Sequence, residues 1–440
     1  MRRTAFRLRS RARAVRIEPW QRTLYTVIIA ETIAIAGFSI SNPFLPFFIQ
    51  ELGVTELNQV AFWVGLISST APITMAVASP IWGLVADRYG RKPMLVRAML
   101  GGSVMIGLNA FVVNVPQLAA LRIIQGALTG TVAAATTLVA TSVPRERCGY
   151  ALGLLQTAIF SAHFLGPSVG GYIGGAYGFR AAFLCSGVLL FVAGLLVIWL
   201  VHEEFVPPPP GRRDGNALAA NARSILGEPM LLAMVALLML NQFSGSITSP
   251  VLPLYVQTLV ANAQEASKAT GLILGATAGA NAVAAVLIGR SADRLGRHRV
   301  LLTCVGVAAL VYFPQMLTKH PTQLLLLRVV LGFAMGAVGP IANALIAERS
   351  PEGHQGGIYG ISTSLNALAM ALGPMLGTLV VTSWGLGSVF AVTGTLLAVA
   401  AGWVAVRMRE LDAPAPGVPV APAVRPRPVV SSGHGPQPEA

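Results

Sequence analysis

Twelve stretches of this chain are apolar over lengths that a lipid bilayer, and little else, can accommodate. They run approximately over 23–48, 60–84, 93–113, 116–140, 150–173, 179–201, 229–257, 268–290, 299–317, 321–345, 356–381 and 386–407. Crossing the hydrocarbon as a helix takes roughly 20 residues. Within lipid a helix satisfies each backbone N–H and C=O internally, so the expected fold class is an all-α membrane protein with twelve transmembrane helices. The overall make-up agrees, with 54% of residues hydrophobic and only 11% charged, against roughly 25% charged in soluble domains.

The net charge of +14 would suit nucleic acid if the cations were spread over the chain, but they are segregated. With the N-terminus placed inside, the even-numbered loops and both tails hold 26 of the 31 Lys and Arg residues, the opposite loops hold three (Arg180, Lys268, Lys319), and Arg122 and Arg328 fall within spans. Such an asymmetry places both termini in the cytoplasm. It also excludes nucleic acid as the expected partner. Cys148, Cys185 and Cys304 have no metal-like spacing and read as reduced, structural residues. The Arg-rich start, residues 1–19, free of acids through Arg16, reads as a basic arm on anionic headgroups, with a transit peptide, which it resembles in composition, as the alternative.

The chain also repeats itself. A shift of 206 lays Gly83, Asp87, Arg88, Gly90 and Arg91 on Gly289, Asp293, Arg294, Gly296 and Arg297, and Arg122, Gly126 and Gly130 on Arg328, Gly332 and Gly336. A shift of 207 lays Pro43 and Pro46 on Pro250 and Pro253, and Gly153, Gly166, Pro167 and Gly170 on Gly360, Gly373, Pro374 and Gly377. The expected organisation is therefore a six-helix half over 20–201, a cytoplasmic linker over 202–225, a second six-helix half over 226–408, and a Pro-rich disordered tail over 409–440. Parallel six-span repeats place substrate between the halves near mid-membrane.

The loop "GLVADRYGRKPML" (83–95) and its copy "GRSADRLGRHRVL" (289–301) carry a Gly for close helix approach, an acid among cations, and a Gly for a tight turn. This pattern resembles the loop signature of the major facilitator superfamily. The resemblance implies that fold, and a gating role in which Asp87 is a latch within a network of Arg88, Arg91 and Lys92, with span 11 near Gly357 as its partner. "LRIIQGALTG" (121–130) resembles the family's fourth-span motif, whose Arg, here Arg122, is linked to proton transfer; an interface-anchoring Arg is the plainer alternative. "GLLQTAIFSAHFLGPSVGG" (153–171) resembles the antiporter motif of the drug:proton exporter branch at Gly153, Gly166, Pro167, Gly170 and Gly171, with Ala162 in place of one Gly. Helix packing alone would also explain these small residues.

One acid, Glu31 in "VIIAETIAIAGF" (27–38), lies well inside a span. It sits about 13 Å from the cytoplasmic edge at 1.5 Å per residue. An ionised carboxylate there must protonate, pair, or meet water. Its repeat partner is Leu237 or Leu238, so the architecture does not require an acid. Glu31 is expected to carry a proton and to pair with Arg122, which descends from the opposite side; a neutral buried Glu is the alternative. His163 is a second proton-exchange candidate, or else a packing residue. Phe38, Gln156, Phe160, Asn241, Gln242 and Asn366 are candidates for an amphipathic cavity.

The expectation is a monomeric transporter of the bacterial inner membrane that exports drugs or other amphipathic small molecules in exchange for protons, bathed in lipid and needing no cofactor or metal. No Gly-x-x-x-x-Gly-Lys-Ser/Thr phosphate loop occurs, and no nucleophile and base pair stands out, so an enzyme is not expected. The alternatives are a symporter or facilitator for a metabolite, and a non-transporting sensor or scaffold.

Overall fold

A computed structural model describes residues 18–144, 147–203, 205, 223, 225–350 and 355–412. The expected basic arm up to residue 17, most of the linker, and the Pro-rich tail from 413 onward lie outside the described residues. Residues 409–412, expected in the disordered tail, instead continue the last helix, Ser388–Asp412, because the prolines that end it begin only at Pro414. Among those described there are helices and no strands, and twelve helical segments are long and apolar enough to span a membrane. They are Trp20–Glu51, Leu57–Ala86, Arg91–Phe111, Val115–Ser142, Tyr150–Tyr177, Phe179–Leu200, Pro229–Gln257, Ala263–Ala292, Arg297–Gln315, Pro321–Arg349, Ile358–Trp384 and Ser388–Val406, referred to as spans 1 to 12. The all-α, twelve-span class expected from the apolar runs is what the chain forms. Large apolar side chains such as Trp199, Leu310, Leu326 and Val399 stand exposed on the helices, as the hydrocarbon phase requires.

Four spans are interrupted, and in matched pairs. Span 1 ends its first helix at Ser41 and resumes as Leu45–Glu51 through a short 3-10 turn containing Pro43. Span 7 breaks likewise between Thr248 and Val251, at Pro250. Proline lacks the N–H the ladder needs, so both breaks follow from sequence. Span 4 divides into Val115–Leu128 and Thr131–Ser142, and span 10 into Pro321–Gly336 and Val338–Arg349. Gly90 and Gly296, at φ +98° and +91°, make the tight turns between spans 2 and 3 and spans 8 and 9. These left-handed values favour glycine.

The halves meet across spans 2 and 11 and spans 5 and 8. On the side opposite the termini, the far face, Gly171 of span 5 lies against Ser267 and Gly271 of span 8, and Gly65 of span 2 lies against Thr378 of span 11. These two contacts are repeat equivalents of each other. Between them Gln50 and Gln257, themselves 207 residues apart, exchange amide hydrogen bonds at 2.9 and 3.0 Å. A residue paired with its own repeat copy marks where the pseudo-two-fold axis passes.

Five turns away along each interface helix the picture reverses. Gly83 lies eighteen residues from Gly65, Gly153 eighteen from Gly171, Gly289 eighteen from Gly271 and Gly360 eighteen from Thr378, which returns each to the same helix face. A Cβ built on any of Gly83, Gly153, Gly289 or Gly360 would meet nothing within 4 Å. The halves are thus closed together at the far face and parted at the face carrying the termini. The close helix approach expected at Gly83, and the packing expected at Gly153, are not made in this conformation, because the partner helices stand apart at that level.

Candidate functional site

Glu31 is fully buried, with 0% exposure. Its Oε1 accepts a hydrogen bond from the Thr131 hydroxyl at 2.9 Å, and its Oε2 has no partner. Arg122, 6% exposed, donates from Nη1 to Asn42 Oδ1 at 3.1 Å and stands 5.9 Å from the Phe183 ring. Its Nε and Nη2 are buried without partners. Glu31 and Arg122, paired in the sequence reading, do not form an ion pair here. The reason is axial: Thr131, at the start of the second half-helix of span 4, is about 13 Å of helix rise beyond Arg122. Each group has found a nearer neutral partner.

His163 Nδ1 is 3.1 Å from Ser39 Oγ of span 1, a part-buried contact within a residue that is exposed overall. Gln156 is exposed as well. Both lie within about a quarter turn of the line joining Gly153 to Gly171, which faces span 8. They therefore flank the cleft between the halves. Gly166 and Gly170 lie directly against Ser39 and Ile40 of span 1, while Gly171 faces span 8. This set packs span 5 against both its neighbours. Phe38, Asn241, Gln242 and Asn366 are half-buried, and Asn366 Oδ1 is buried without a partner. The side chain of Phe160 lies outside the described residues.

The side chains of Asp87 and Asp293, the expected latch and its copy, also lie outside the described residues. What holds the loop after Gly90 is a carboxylate that the sequence reading passed over. Glu203, just past span 6, accepts from the backbone N–H of Arg91 at 2.8 Å and of Lys92 at 2.7 Å, capping span 3. Lys92 Nζ donates to the Ile198 carbonyl at 2.9 Å, and Arg91 lies 5.5 Å from the Phe205 ring. Arg88 lies over Tyr89. In the second half Arg297 forms an ion pair with Glu348, whereas Arg294 is exposed. Arg97, counted above with the termini-side loops, belongs inside span 3, where its guanidinium stacks 3.6 Å from the Trp82 ring. Trp82 in turn donates its N–H to the Ala127 carbonyl at 2.6 Å.

Three polar partners were thus missed: Thr131, Asn42 and Glu203. For Thr131 a signal was available, since Gly130 followed by Thr interrupts an apolar run with a helix breaker and an N-terminal hydroxyl. Among the described residues no group of three or more His, Cys, Asp or Glu is placed to hold a metal ion.

Two six-span units related by a pseudo-two-fold axis, joined at one face and parted at the other around buried polar side chains, define a multi-pass membrane transporter. The family model described as Major Facilitator Superfamily matches this chain over residues 27–262 and 234–434, and the chain belongs to that family. It is similar to the multidrug resistance protein MdtG of Rahnella sp. (strain Y9602), 33% identical over 384 residues that cover 87% of this chain and 93% of the relative. MdtG of Klebsiella pneumoniae (strain 342) is 34% identical, covering 85% of this chain and 90% of its own length. Among solved structures, a bacterial homolog of the human lysosomal transporter Spinster, inward-facing and unoccupied, matches with TM-score 0.70 at 14% identity, covering 89% of this chain and 98% of that one. The human organic anion transporter MFSD10 (TETRAN) matches at 0.62 and 18% identity, with coverage of 88% and 99%. The solved structures share the fold.

Proposed function

We propose that this protein exports drugs or related amphipathic small molecules from the cytoplasm in exchange for protons, by alternating access, as a monomer in a bacterial inner membrane. The MdtG relatives, by their name, act in multidrug resistance, which supports the substrate class. The segregation of Lys and Arg supports cytoplasmic termini, and on that orientation the parted face is the cytoplasmic one and the structure is inward-facing. Substrate would enter the cleft from the cytoplasm, between spans 2, 5, 8 and 11, and leave when the halves close there and part at the far face.

The observation that carries proton coupling is Glu31, which is the single acid among the described residues that is buried. A carboxylate in that setting changes charge at a large difference in solvation between an occluded and a wetted state. Proton binding is therefore linked to which state is populated. Exchange follows if protonation and drug occupancy favour opposite states. The measurement is transport in proteoliposomes under an imposed pH gradient: wild type moves a cationic dye against its gradient, and Glu31→Gln inserts normally but no longer responds to the pH gradient. Full gradient-driven transport by that variant would overturn the role of Glu31, and flux in the opposite direction would identify a symporter.

A further inference from the structure

Span 4 is two helices, and the way it is divided gives Glu31 a specific seat. Gly130 takes φ +120°, open to glycine and strained for other residues, so the second half-helix, Thr131–Ser142, begins afresh inside the membrane. No N-cap side chain covers its start. The first-turn N–H groups of any helix lack partners within it, and they carry the positive end of its dipole. Against this start stands a fully buried carboxylate from span 1, with one oxygen bonded to the Thr131 hydroxyl at 2.9 Å and the other unpartnered.

The internal duplication supplies an independent control. In the second half the place of Glu31 is taken by Leu237 or Leu238, and the place of Thr131 by Ala337 or Val338. All four are buried in one apolar cluster. The architecture thus closes at this point without either polar group, and the acid and the hydroxyl are both absent from the same half. They are a pair, and the pair is not a demand of the fold.

We propose that the start of the second half-helix of span 4, with Thr131 as positioning residue, is the seat that holds Glu31 while it is ionised and from which protonation releases it. The proposal rests on Glu31 being the proton carrier. Ionised, the carboxylate accepts from Thr131 and faces the positive helix end. When a proton adds to Oε2 the charge is gone, and with it most of the attraction. Span 1 and the half-helix are then no longer tied electrostatically, and the two-residue break at Thr129 and Gly130 lets the half-helix shift without moving Val115–Leu128. The proton leaves from the same oxygen when the seat is re-formed.

Other charged groups on the elements around span 1 are engaged elsewhere. His163 contacts Ser39, about 12 Å of helix rise from Glu31. Arg122 bonds Asn42, Arg97 stacks on Trp82, and Arg180 of span 6 donates to the carbonyls of Ala110 and Val112. Cys185 of span 6 and, on span 1 itself, Tyr25 are not hydrogen-bonded to Glu31, whose one bond is to Thr131. The second half-helix of span 4 carries no ionisable side chain.

The test compares Thr131→Val, which keeps the shape and removes the hydroxyl, with Thr131→Ser, which restores it. In purified full-length protein the carboxyl C=O stretch of protonated Glu31, assigned by its loss in Glu31→Gln, is followed against pH by infrared spectroscopy, and proteoliposome transport is measured across the same range. Expected is a midpoint displaced upward by about one pH unit in Thr131→Val, the size that one hydrogen bond to a charged group supports, with Thr131→Ser close to wild type. If Glu31→Gln abolishes the proton response while Thr131→Val leaves both midpoints in place, the seat is wrong and the proton carrier stands. If Thr131→Ser is displaced as far as Thr131→Val, the residue acts through packing and the proposal fails. If Glu31→Gln transports normally, both readings fall. The infrared titration needs no transport, so it decides the matter even where Thr131→Val is inactive.

Discussion

Arg122 is kept in an apolar setting by one hydrogen bond to Asn42 and one aromatic face, that of Phe183. Two of its nitrogens are already buried without partners, so little else is there to satisfy the guanidinium if Asn42 is lost. Asn42→Leu is expected to lower the thermal stability of the purified protein, at a cost of about 1–3 kcal/mol for the unpaired donor. Asn42→Asp, which offers the same geometry with a charge, should retain it. Equal destabilisation by both would mean that the bond contributes nothing. That Arg122 and Glu31 stand in a membrane was plain from the sequence, because charges in apolar runs are conspicuous. Their partners were not, since Asn42 and Thr131 lie 80 and 100 residues away and a single neutral polar residue leaves no periodic trace. Expecting the two charges to seek one another ignored the helix rise between Arg122 and the level of Glu31.

At the scale of elements, helix ends do more than the loop motif advertised. The turn at Gly90 launches span 3, whose first N–H groups are taken by Glu203 from the end of span 6. A Cβ on residue 90 would stand 2.9 Å from that carboxylate, so a larger residue there would push the cap aside in addition to straining the φ that Gly90 adopts. Glu203→Ala should free two N–H groups at a helix start, where loss of a capping side chain typically costs about 1 kcal/mol. The expected result is faster proteolysis near residues 88–92 and a modest loss of thermal stability, with Glu203→Gln intermediate because it keeps an acceptor and loses the charge. Unchanged proteolysis in Glu203→Ala would show that the turn stands without its cap. The tight turn itself was legible, from a glycine recurring at fixed spacing in both halves. The cap was not, because Glu203 opens the linker and reads there as one more surface charge.

For the molecule as a whole, duplication predicted two like six-helix halves with a site between them, but nothing in a repeated sequence says which helices meet across that site or which face is shut. The small residues that allow contact are present at both ends of the interface helices: Gly65, Gly171, Gly271 and Thr378 at the far face, and Gly83, Gly153, Gly289 and Gly360 at the other. Only the first set is engaged, because two rigid halves that close at one end must part at the other. Cysteine pairs report this directly once Cys148, Cys185 and Cys304 have been replaced. Gln50→Cys with Gln257→Cys spans the closed face, where the native side chains bond at 2.9 and 3.0 Å, and Gly153→Cys with Gly289→Cys spans the open one. A short bifunctional reagent should join the first pair readily, hold the halves in this state and stop transport. In molecules so joined, the Gly153→Cys and Gly289→Cys pair should resist joining, and it should become reactive only when the first pair is left free and the far face can open. Both pairs joining within the same molecule at high yield would mean that the two faces do not alternate, and that the vacant glycines at the parted face are lipid-facing rather than the contact surface of a second state.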